Sequence, residues 1–97
     1  MAGHRLAVPP KVAEGVRHLS PDIKRAVRSA LRNLCANPGA GEPLRGELQG
    51  LFKYRVRRFR IVYQVNRQER VVEIIAVGHR RDIYEEAAEN LRPSSPA

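Results

Sequence analysis

The chain has 97 residues, of which 18 are Lys or Arg and 10 are Asp or Glu, so its net charge at pH 7 is +8. That length fits one small domain and leaves no room for a second, and a hydrophobic content of 42% predicts a chain that folds. A basic chain attracts polyanions, so nucleic acid and acidic proteins are the expected partners, ahead of small acidic substrates.

The N-terminal half of the chain predicts a short strand followed by two helices. The strand spans His4–Val8 and ends at two prolines, which cannot continue sheet pairing. Apolar residues spaced by four and three predict a first helix at Lys11–Leu19. The second helix is predicted to begin at Pro21, after Ser20 as its N-cap, and to stop at Asn37-Pro38-Gly39.

The C-terminal half predicts a three-stranded antiparallel meander and a short helix. Alternation with period 2 marks the strands Leu51–Val56, Arg60–Val65 and Val71–Val77, and their short connections favour antiparallel pairing. Apolar residues spaced by four predict an acidic helix at Asp82–Leu91, followed by a frayed tail at Pro93–Ala97. We therefore expect one α+β domain over residues 1–92. Its N-terminal strand and two helices would pack on one face of an antiparallel sheet.

Positive charge is concentrated in the predicted meander and the turn that follows it. Residues 51–81 hold nine Lys or Arg and two Glu, a net charge of +7. Strand alternation places Lys53, Arg55 and Arg57 on one sheet face, and Arg60 enters the next strand beside them. If the apolar side chains of these strands cover the helices, the other face is a basic surface for about three or four phosphates. A solvated sheet face without a ligand is the alternative interpretation.

The turn between the last strand and the last helix contains side chains that could act on a phosphodiester. They are His79, Arg80, Arg81 and Tyr84. Arginine can stabilise the negative charge of a phosphorane, and histidine or tyrosine can move a proton, so transfer without a metal is chemically possible here. A plainer interpretation is that Tyr84 anchors the last helix and that His79 is a turn residue.

The sequence predicts no cofactor and no metal. It has no Cys and His set for zinc, no paired carboxylates for magnesium and no phosphate-binding glycine loop. Cys35 cannot form a disulfide within the chain, which indicates a reducing compartment, and we expect it to be a buried apolar residue. Because neither an apolar signal segment nor a membrane-spanning run is found, we expect a cytoplasmic protein.

Four motifs together resemble the RelE/ParE toxin superfamily, and the resemblance extends from Leu6 to Leu91. The motifs are Leu44-Arg45-Gly46, Leu51-Phe52-Lys53-Tyr54-Arg55-Val56, Phe59-Arg60-Ile61-Val62-Tyr63-Gln64-Val65 and Val77-Gly78-His79-Arg80-Arg81-Asp82-Ile83-Tyr84. The resemblance implies a toxin of a type II toxin–antitoxin system, neutralised by a cognate antitoxin and oligomeric only through it. For the RelE branch it implies an endonuclease that cuts mRNA in the ribosomal decoding site. That reaction needs no metal, and the 2'-hydroxyl attacks the adjacent phosphate.

The same resemblance implies roles for individual residues. Lys53 is similar in position to a lysine that helps activate the nucleophile, and Arg55 to a basic residue that holds the phosphate. Arg60 matches the arginine that stabilises the transition state, Arg80 the arginine of the strand-to-helix turn, and Tyr84 a tyrosine that stacks on or orients a base. The other basic side chains of these motifs are expected to bind RNA: Arg45, Arg57, Arg58, His79 and Arg81.

Two departures from the family pattern affect these expectations. Arg57 and Arg58 occupy a hairpin turn that usually holds a Gly-Asp pair, so we expect a wider turn. Arg55 replaces a lysine and cannot act as a base, so Lys53 must carry that role. His79 is an additional candidate for the acid that protonates the leaving group. A ParE-like inhibitor of DNA gyrase and an inactive nucleic-acid- or antitoxin-binding module of the same fold are the alternative functions.

Overall fold

The computed structural model describes residues 3–79 and 82–91. Its elements in chain order are β1 (Arg5–Ala7), α1 (Pro10–Arg17), α2 (Pro21–Ala36), β2 (Glu42–Pro43), β3 (Phe52–Val56), β4 (Phe59–Asn66), β5 (Val71–His79) and α3 (Ile83–Leu91). Two short 3₁₀ turns, Pro38–Ala40 and Gly46–Leu48, flank β2. Each predicted helix and strand is present, and β2 is a strand that the sequence analysis did not predict. The predicted tail, Pro93–Ala97, lies outside the described residues.

The ends of α1 and α2 follow from local backbone chemistry. α2 begins at Pro21 as predicted, because the fixed φ of proline suits the first helical turn. Ser20 occupies the N-cap position, but the prediction of a side-chain cap is wrong, because its hydroxyl bonds no backbone N–H of the helix. α1 ends at Arg17 rather than at Leu19, because the His18 N–H donates to the Gly15 carbonyl and tightens the last turn.

The five strands form one mixed sheet in the order β1-β5-β4-β3-β2. The antiparallel meander of β3, β4 and β5 is confirmed, and β2 pairs antiparallel with β3 at one edge. At the other edge β1 runs parallel to β5, with Arg5 opposite Val71, so the sheet is not wholly antiparallel. Parallel pairing needs a long connection, and the chain between β1 and β5, which contains α1, α2 and the strands β2 to β4, supplies it. The α+β class with helices packed against the sheet is as predicted.

β5 contains one more residue than the part of β4 that it pairs with. Val62 is opposite Ala76 and Tyr63 is opposite Ile74, so Ile75 has no partner of its own. Such a β-bulge changes which side chains of a strand share a face. Before the bulge the even-numbered residues of β5 face α1 and α2, and after it the odd-numbered ones do.

The sheet face that packs against α1 and α2 carries the larger core. Its buried members are Val12, Val27, Ala30, Leu31, Leu34, Val56, Ile61, Tyr63, Val72 and Ile74. Phe52, Tyr54 and Val65 pack against this cluster, so the prediction that the apolar residues of β3 and β4 face the two helices is confirmed. Each fully buried aliphatic side chain stabilises the fold by about 1.5–3 kcal/mol.

The opposite sheet face is covered in part by α3. A second core contains Leu51, Val62, Ile75, Ala76, Ile83 and Ala87. Asn90 attaches the end of α3 to the bulge, because its Nδ2 donates to the Ile75 carbonyl at 2.8 Å. Lys11 Nζ in turn donates to Asn90 Oδ1 at 3.3 Å, which links α1 to α3. The prediction that this whole face is basic is therefore wrong for the part under α3, where apolar strand residues require cover.

Candidate functional site

Three cations lie together on the sheet face that α3 covers only in part. Lys53 and Arg55 alternate with the core-facing residues of β3, and Arg60 of β4 is the register partner of Arg55. Residues directly opposite each other in an antiparallel pair have Cβ atoms about 4.5–5.5 Å apart. The structure thus brings Lys53, Arg55 and Arg60 to one face, as the strand alternation predicts.

Arg60 contacts the last helix directly. Its Nη1 donates a hydrogen bond to the Tyr84 hydroxyl oxygen at 2.7 Å, and both side chains are half-buried. Tyr84 follows Ile83, which is 1% exposed in the second core and fixes the start of α3 against the sheet. Two residues that are 24 positions apart in sequence therefore meet because α3 packs beside the cations.

Gly78 makes room for this contact. It lies opposite Arg60 on β5, and a Cβ at this position would be 3.4 Å from Ile83 Cδ1. A larger side chain would therefore press on the first residue of α3. The absence of a side chain beside Arg60 allows the helix to begin close to the sheet.

The hairpin between β3 and β4 is tight, and the expectation of a wider turn is wrong. Val56 pairs with Phe59, so that only Arg57 and Arg58 connect the strands. Arg57 supplies the positive φ, 56°, that a glycine usually provides in such turns. The Arg57 carbonyl accepts a hydrogen bond of 3.3 Å from Arg55 Nε, which ties the Arg55 side chain to the turn.

His79 lies on the other side of the sheet from Arg60 and Tyr84. It pairs with Phe59 at the end of β5, and the two ring centroids are 4.3 Å apart. Both residues line an open cleft at the start of α2, together with Arg57 and Arg58. The structure therefore does not bring Arg57, Arg58 or His79 into the cluster around Arg60, although the sequence analysis grouped Arg57 with Lys53 and Arg55.

Arg45 lines a separate cleft of ≈ 540 Å³ between the second 3₁₀ turn and α3. Tyr84 forms one wall, and the carboxylates of Glu47, Glu85 and Glu89 surround the rest. These acids oppose phosphate binding at Arg45. The sequence analysis did not single them out, because only the packing of α3 brings Glu85 and Glu89 to the loop that holds Arg45.

The immediate surroundings of Lys53 include one acid that the sequence analysis missed. Glu42 of β2 is the register partner of Lys53. No signal for this pairing exists in the sequence, because β2 is two residues long and contains a proline. Arg80 and Arg81, which were predicted to act at this site, lie outside the described residues.

The cations of the cluster are not neutralised by ion pairs. Within residues 3–79 and 82–91, the carboxylates within 4.0 Å of a cation belong to Glu14, beside Arg17 and His18 on α1. Arg55 and Arg60 therefore keep their charge for a ligand. Guanidinium groups hold phosphate oxygens through several donors, while a hydroxyl or a neutral amine can move protons. The cluster is thus suited to binding a phosphodiester and to acting on it.

A buried tyrosine, Tyr63, holds the loop that leads into β2, the strand that pairs with β3 at Lys53. The Tyr63 hydroxyl donates to the Pro38 carbonyl at 2.8 Å and accepts from the Gly41 N–H at 2.9 Å. Burial raises the pKa of Tyr63 above its ordinary value, so the hydroxyl stays protonated and can donate. Gly41 must be a glycine, because a Cβ there would collide with the Tyr63 hydroxyl and the Lys53 carbonyl.

Cys35, near the end of α2, is half-buried, and its pKa is raised by burial. A raised pKa keeps the thiol in its protonated form near neutral pH, and the thiol is the weaker nucleophile. Cys35 lines one open pocket with the apolar residues Leu6 and Leu31, so it is half-buried rather than buried as predicted.

The comparison with protein families decides what kind of protein this is. Residues 5–84 match the family described as the ParE toxin of the type II toxin–antitoxin system parDE. The chain belongs to the RelE/ParE toxin superfamily. The predicted resemblance is confirmed, and the protein is a type II toxin of this superfamily.

Individual relatives agree with this assignment. The RelE/ParE toxin is 40% identical to Toxin RelG of Mycobacterium tuberculosis over 68 residues, which are 68% of this chain and 78% of that protein. A free mutant of the Escherichia coli toxin RelE matches with a TM-score of 0.76 and 26% identity, over 95% of this chain and 100% of that one. A RelBE toxin–antitoxin complex from Mycobacterium tuberculosis gives a TM-score of 0.74 and 29% identity, over 80% and 99% of the two chains.

Among the residues that the structure describes in this RelE/ParE toxin, no three His, Cys, Asp or Glu side chains group closely enough to hold a metal ion. No helix in the described part of the chain is both long and apolar enough to span a bilayer.

Proposed function

We propose that this toxin is a RelE-like mRNA interferase, a ribosome-dependent endonuclease that cuts mRNA without a metal ion. The observation that carries the proposal is the 2.7 Å hydrogen bond from Arg60 to the Tyr84 hydroxyl, on the same sheet face as Lys53 and Arg55. Cleavage of RNA next to its own 2'-hydroxyl needs a proton acceptor, a proton donor and positive charge at the phosphate. This cluster contains all three.

In the proposed reaction the 2'-oxygen of one nucleotide attacks the adjacent phosphorus. Lys53 takes the proton of the 2'-hydroxyl. The bond between O2' and phosphorus forms and the bond to O5' breaks, which leaves a 2',3'-cyclic phosphate. Arg55 and Arg60 hold the phosphate oxygens, and Arg60 stabilises the negative charge that develops in the transition state.

The leaving O5' takes its proton from the Tyr84 hydroxyl. That proton is not used in the contact with Arg60, because the Tyr84 oxygen is the acceptor there. Arg60 then compensates the charge left on the oxygen. His79, on the opposite face, has no part in this step, and Arg80 remains a predicted contact of the phosphate.

The first experiment adds the purified protein to a cell-free translation reaction and maps mRNA ends by primer extension. We expect cuts in phase with the codons when ribosomes are present and none in naked mRNA. Arg60→Ala should lower the cleavage rate by about 10²–10³-fold. Arg67→Ala removes the same charge from the exposed turn between β4 and β5. It should change the cleavage rate by less than about twofold. Equal losses in the two variants would contradict a specific role for Arg60.

A second candidate function is inhibition of DNA gyrase. It is favoured by the matching family model, whose description is that of a ParE toxin. Intact mRNA together with blocked supercoiling in a gyrase assay would support this candidate. An inactive binding module of the same fold would leave both substrates unchanged.

We also propose a cognate antitoxin as the protein partner and the cytoplasm as the place of action. Support for the partner comes from the toxin–antitoxin complex among the structural relatives and from the net charge of +8, which favours acidic surfaces. Association should weaken as salt rises, because salt screens these charges.

A further inference from the structure

A second basic cleft lies at the end of the β3–β4 hairpin, on the sheet face opposite Arg60. It has a volume of ≈ 460 Å³. Its lining residues are Ser20, Ile23, Arg57, Arg58, Phe59 and His79. The mechanism proposed above uses none of them. Sequence alternation alone did not separate these residues from the cluster at Arg60.

The charge of this cleft is suited to phosphate. Two arginines and a histidine line it, and none of its lining residues in the described part of the chain is an acid. The cleft beside Arg45 has a similar size but three glutamates, so the two clefts would attract opposite charges. Arg57 and Arg58 are both exposed, and being adjacent in a two-residue turn they can contact successive phosphates of a flexible strand.

The cleft also presents aromatic surface. The rings of Phe59 and His79 lie 4.3 Å apart with an interplanar angle of 36°. His79 is exposed and Phe59 is half-buried, so part of this ring pair is open to a ligand. Aromatic side chains beside positive charge are how proteins bind single-stranded nucleic acid, because each base offers a flat face for stacking.

We propose that this cleft binds single-stranded RNA, with phosphates at Arg57 and Arg58 and a base stacked on the Phe59–His79 pair. The inference deepens the proposed function and rests on it, since the toxin would then hold RNA on both faces of one hairpin. The RNA could be the mRNA strand beyond the cut or an unpaired rRNA nucleotide. Both have the same phosphate and base chemistry.

The test measures binding of a fluorescent 12-nucleotide RNA with 2'-O-methyl groups, which cannot be cut, by anisotropy at constant salt. Arg58→Gln should weaken binding by about 3- to 10-fold, which corresponds to about 0.7–1.4 kcal/mol, because an exposed contact to a phosphate is lost. Arg67→Gln, the matched change in the turn between β4 and β5, should alter it by less than about twofold. Equal effects of the two variants would overturn the inference, because they would show attraction by net charge alone.

The stacking part of the proposal has its own control. Phe59→Leu should weaken binding of the ordinary oligonucleotide by about 5- to 100-fold and leave binding of an abasic oligonucleotide with the same phosphates nearly unchanged. A circular dichroism melt excludes a variant that has unfolded. Equal losses with both oligonucleotides would show that no base is stacked there. Wild-type protein that fails to bind either one would also overturn the proposal.

The outcome is separable from that of the cleavage assay, because binding needs no cut. If mRNA stays intact during translation but Arg58→Gln and Arg67→Gln differ in binding, the cleft stands and the endonuclease proposal fails. If mRNA is cut but the two variants bind alike, the endonuclease proposal stands and the cleft proposal fails. Competition by naked mRNA and by purified 30S subunits against the fluorescent oligonucleotide then distinguishes an mRNA occupant from an rRNA occupant.

Discussion

The two faces of the sheet differ in how completely helices cover them. α1 and α2 lie over one face, where ten buried residues form a continuous core. On the other face α3 covers a cluster of six, and Lys53, Arg55 and Arg60 lie beyond its cover. Neighbouring residues of β4 therefore have different roles. Ile61 stabilises the fold, while Arg60, one position earlier, is available to a ligand. The cations lie at the margin of α3, where Arg60 contacts Tyr84 and none of the three is fully buried, so their charge stays accessible.

The largest expected effect compares one core residue from each face. Leu34→Ala and Ile83→Ala remove side chains that are 0% and 1% exposed, and each should lower the free energy of unfolding by about 2–5 kcal/mol. Only Ile83→Ala should also reduce activity at a temperature where the protein is still folded, because it loosens the helix that holds Tyr84. Urea denaturation and the cleavage assay measure the two quantities. A parallel loss of activity in Leu34→Ala would mean that the faces are not functionally distinct.

A smaller effect is expected from the hydrogen bonds that attach a segment to each face. Tyr63→Phe leaves the Gly41 N–H and the Pro38 carbonyl without their partner, and Asn90→Ala does the same to the Ile75 carbonyl. Each should lower the free energy of unfolding by about 1–3 kcal/mol. The loss is smaller where water can bond the group that has lost its partner.

Hydrogen exchange distinguishes these two variants. Tyr63→Phe should speed exchange in the loop around Gly41, while Asn90→Ala should speed it in α3. Uniform acceleration over the whole chain in both variants would argue against local attachment.

The smallest expected effect is a gain in stability at the hairpin. Arg57 adopts a φ of 56°, which costs a residue with a side chain about 1–2 kcal/mol relative to glycine. Arg57→Gly should therefore raise the free energy of unfolding by about 0.5–1 kcal/mol after the extra chain entropy of glycine is included. Arg58→Gly, at the neighbouring position, should lower it. Thermal melts of the two variants at equal salt compare them, and a stabilised Arg58→Gly would contradict the assignment of strain to Arg57.

Much of the fold follows from patterns that are local in sequence. Proline at the first position fixed the start of α2 correctly, and period-2 alternation correctly assigned Ile61 and Tyr63 to the face that α1 and α2 cover. The parallel pairing of β1 could not be predicted in this way, because it depends on how the two helices cross the sheet. β2 is too short to show any alternation, which is why Glu42 was missed beside Lys53.

The candidate site was predictable where it depends on strand alternation and not where it depends on packing. Lys53 and Arg55 share a face because they are two residues apart. The contact between Arg60 and Tyr84 depends on where α3 lies, so the sequence analysis named both residues without predicting that they touch. His79 was grouped with Tyr84 because the strand was predicted to end at Val77, whereas β5 continues to His79 and pairs it with Phe59 on the other face.

The bulge at Ile75 makes the length of β5 a determinant of function. A strand without Ile75 would keep the pairs of Ile74 with Tyr63 and of Ala76 with Val62, but the second core would lose one of its six buried members. It would lack the carbonyl to which Asn90 is bonded, and with it one attachment of α3. A single deletion that spares every sheet pairing would thereby loosen the C-terminal end of the helix that carries Tyr84, while Ile83 still packs at its start. The number of residues in this strand therefore contributes to holding α3 in place beside Arg60.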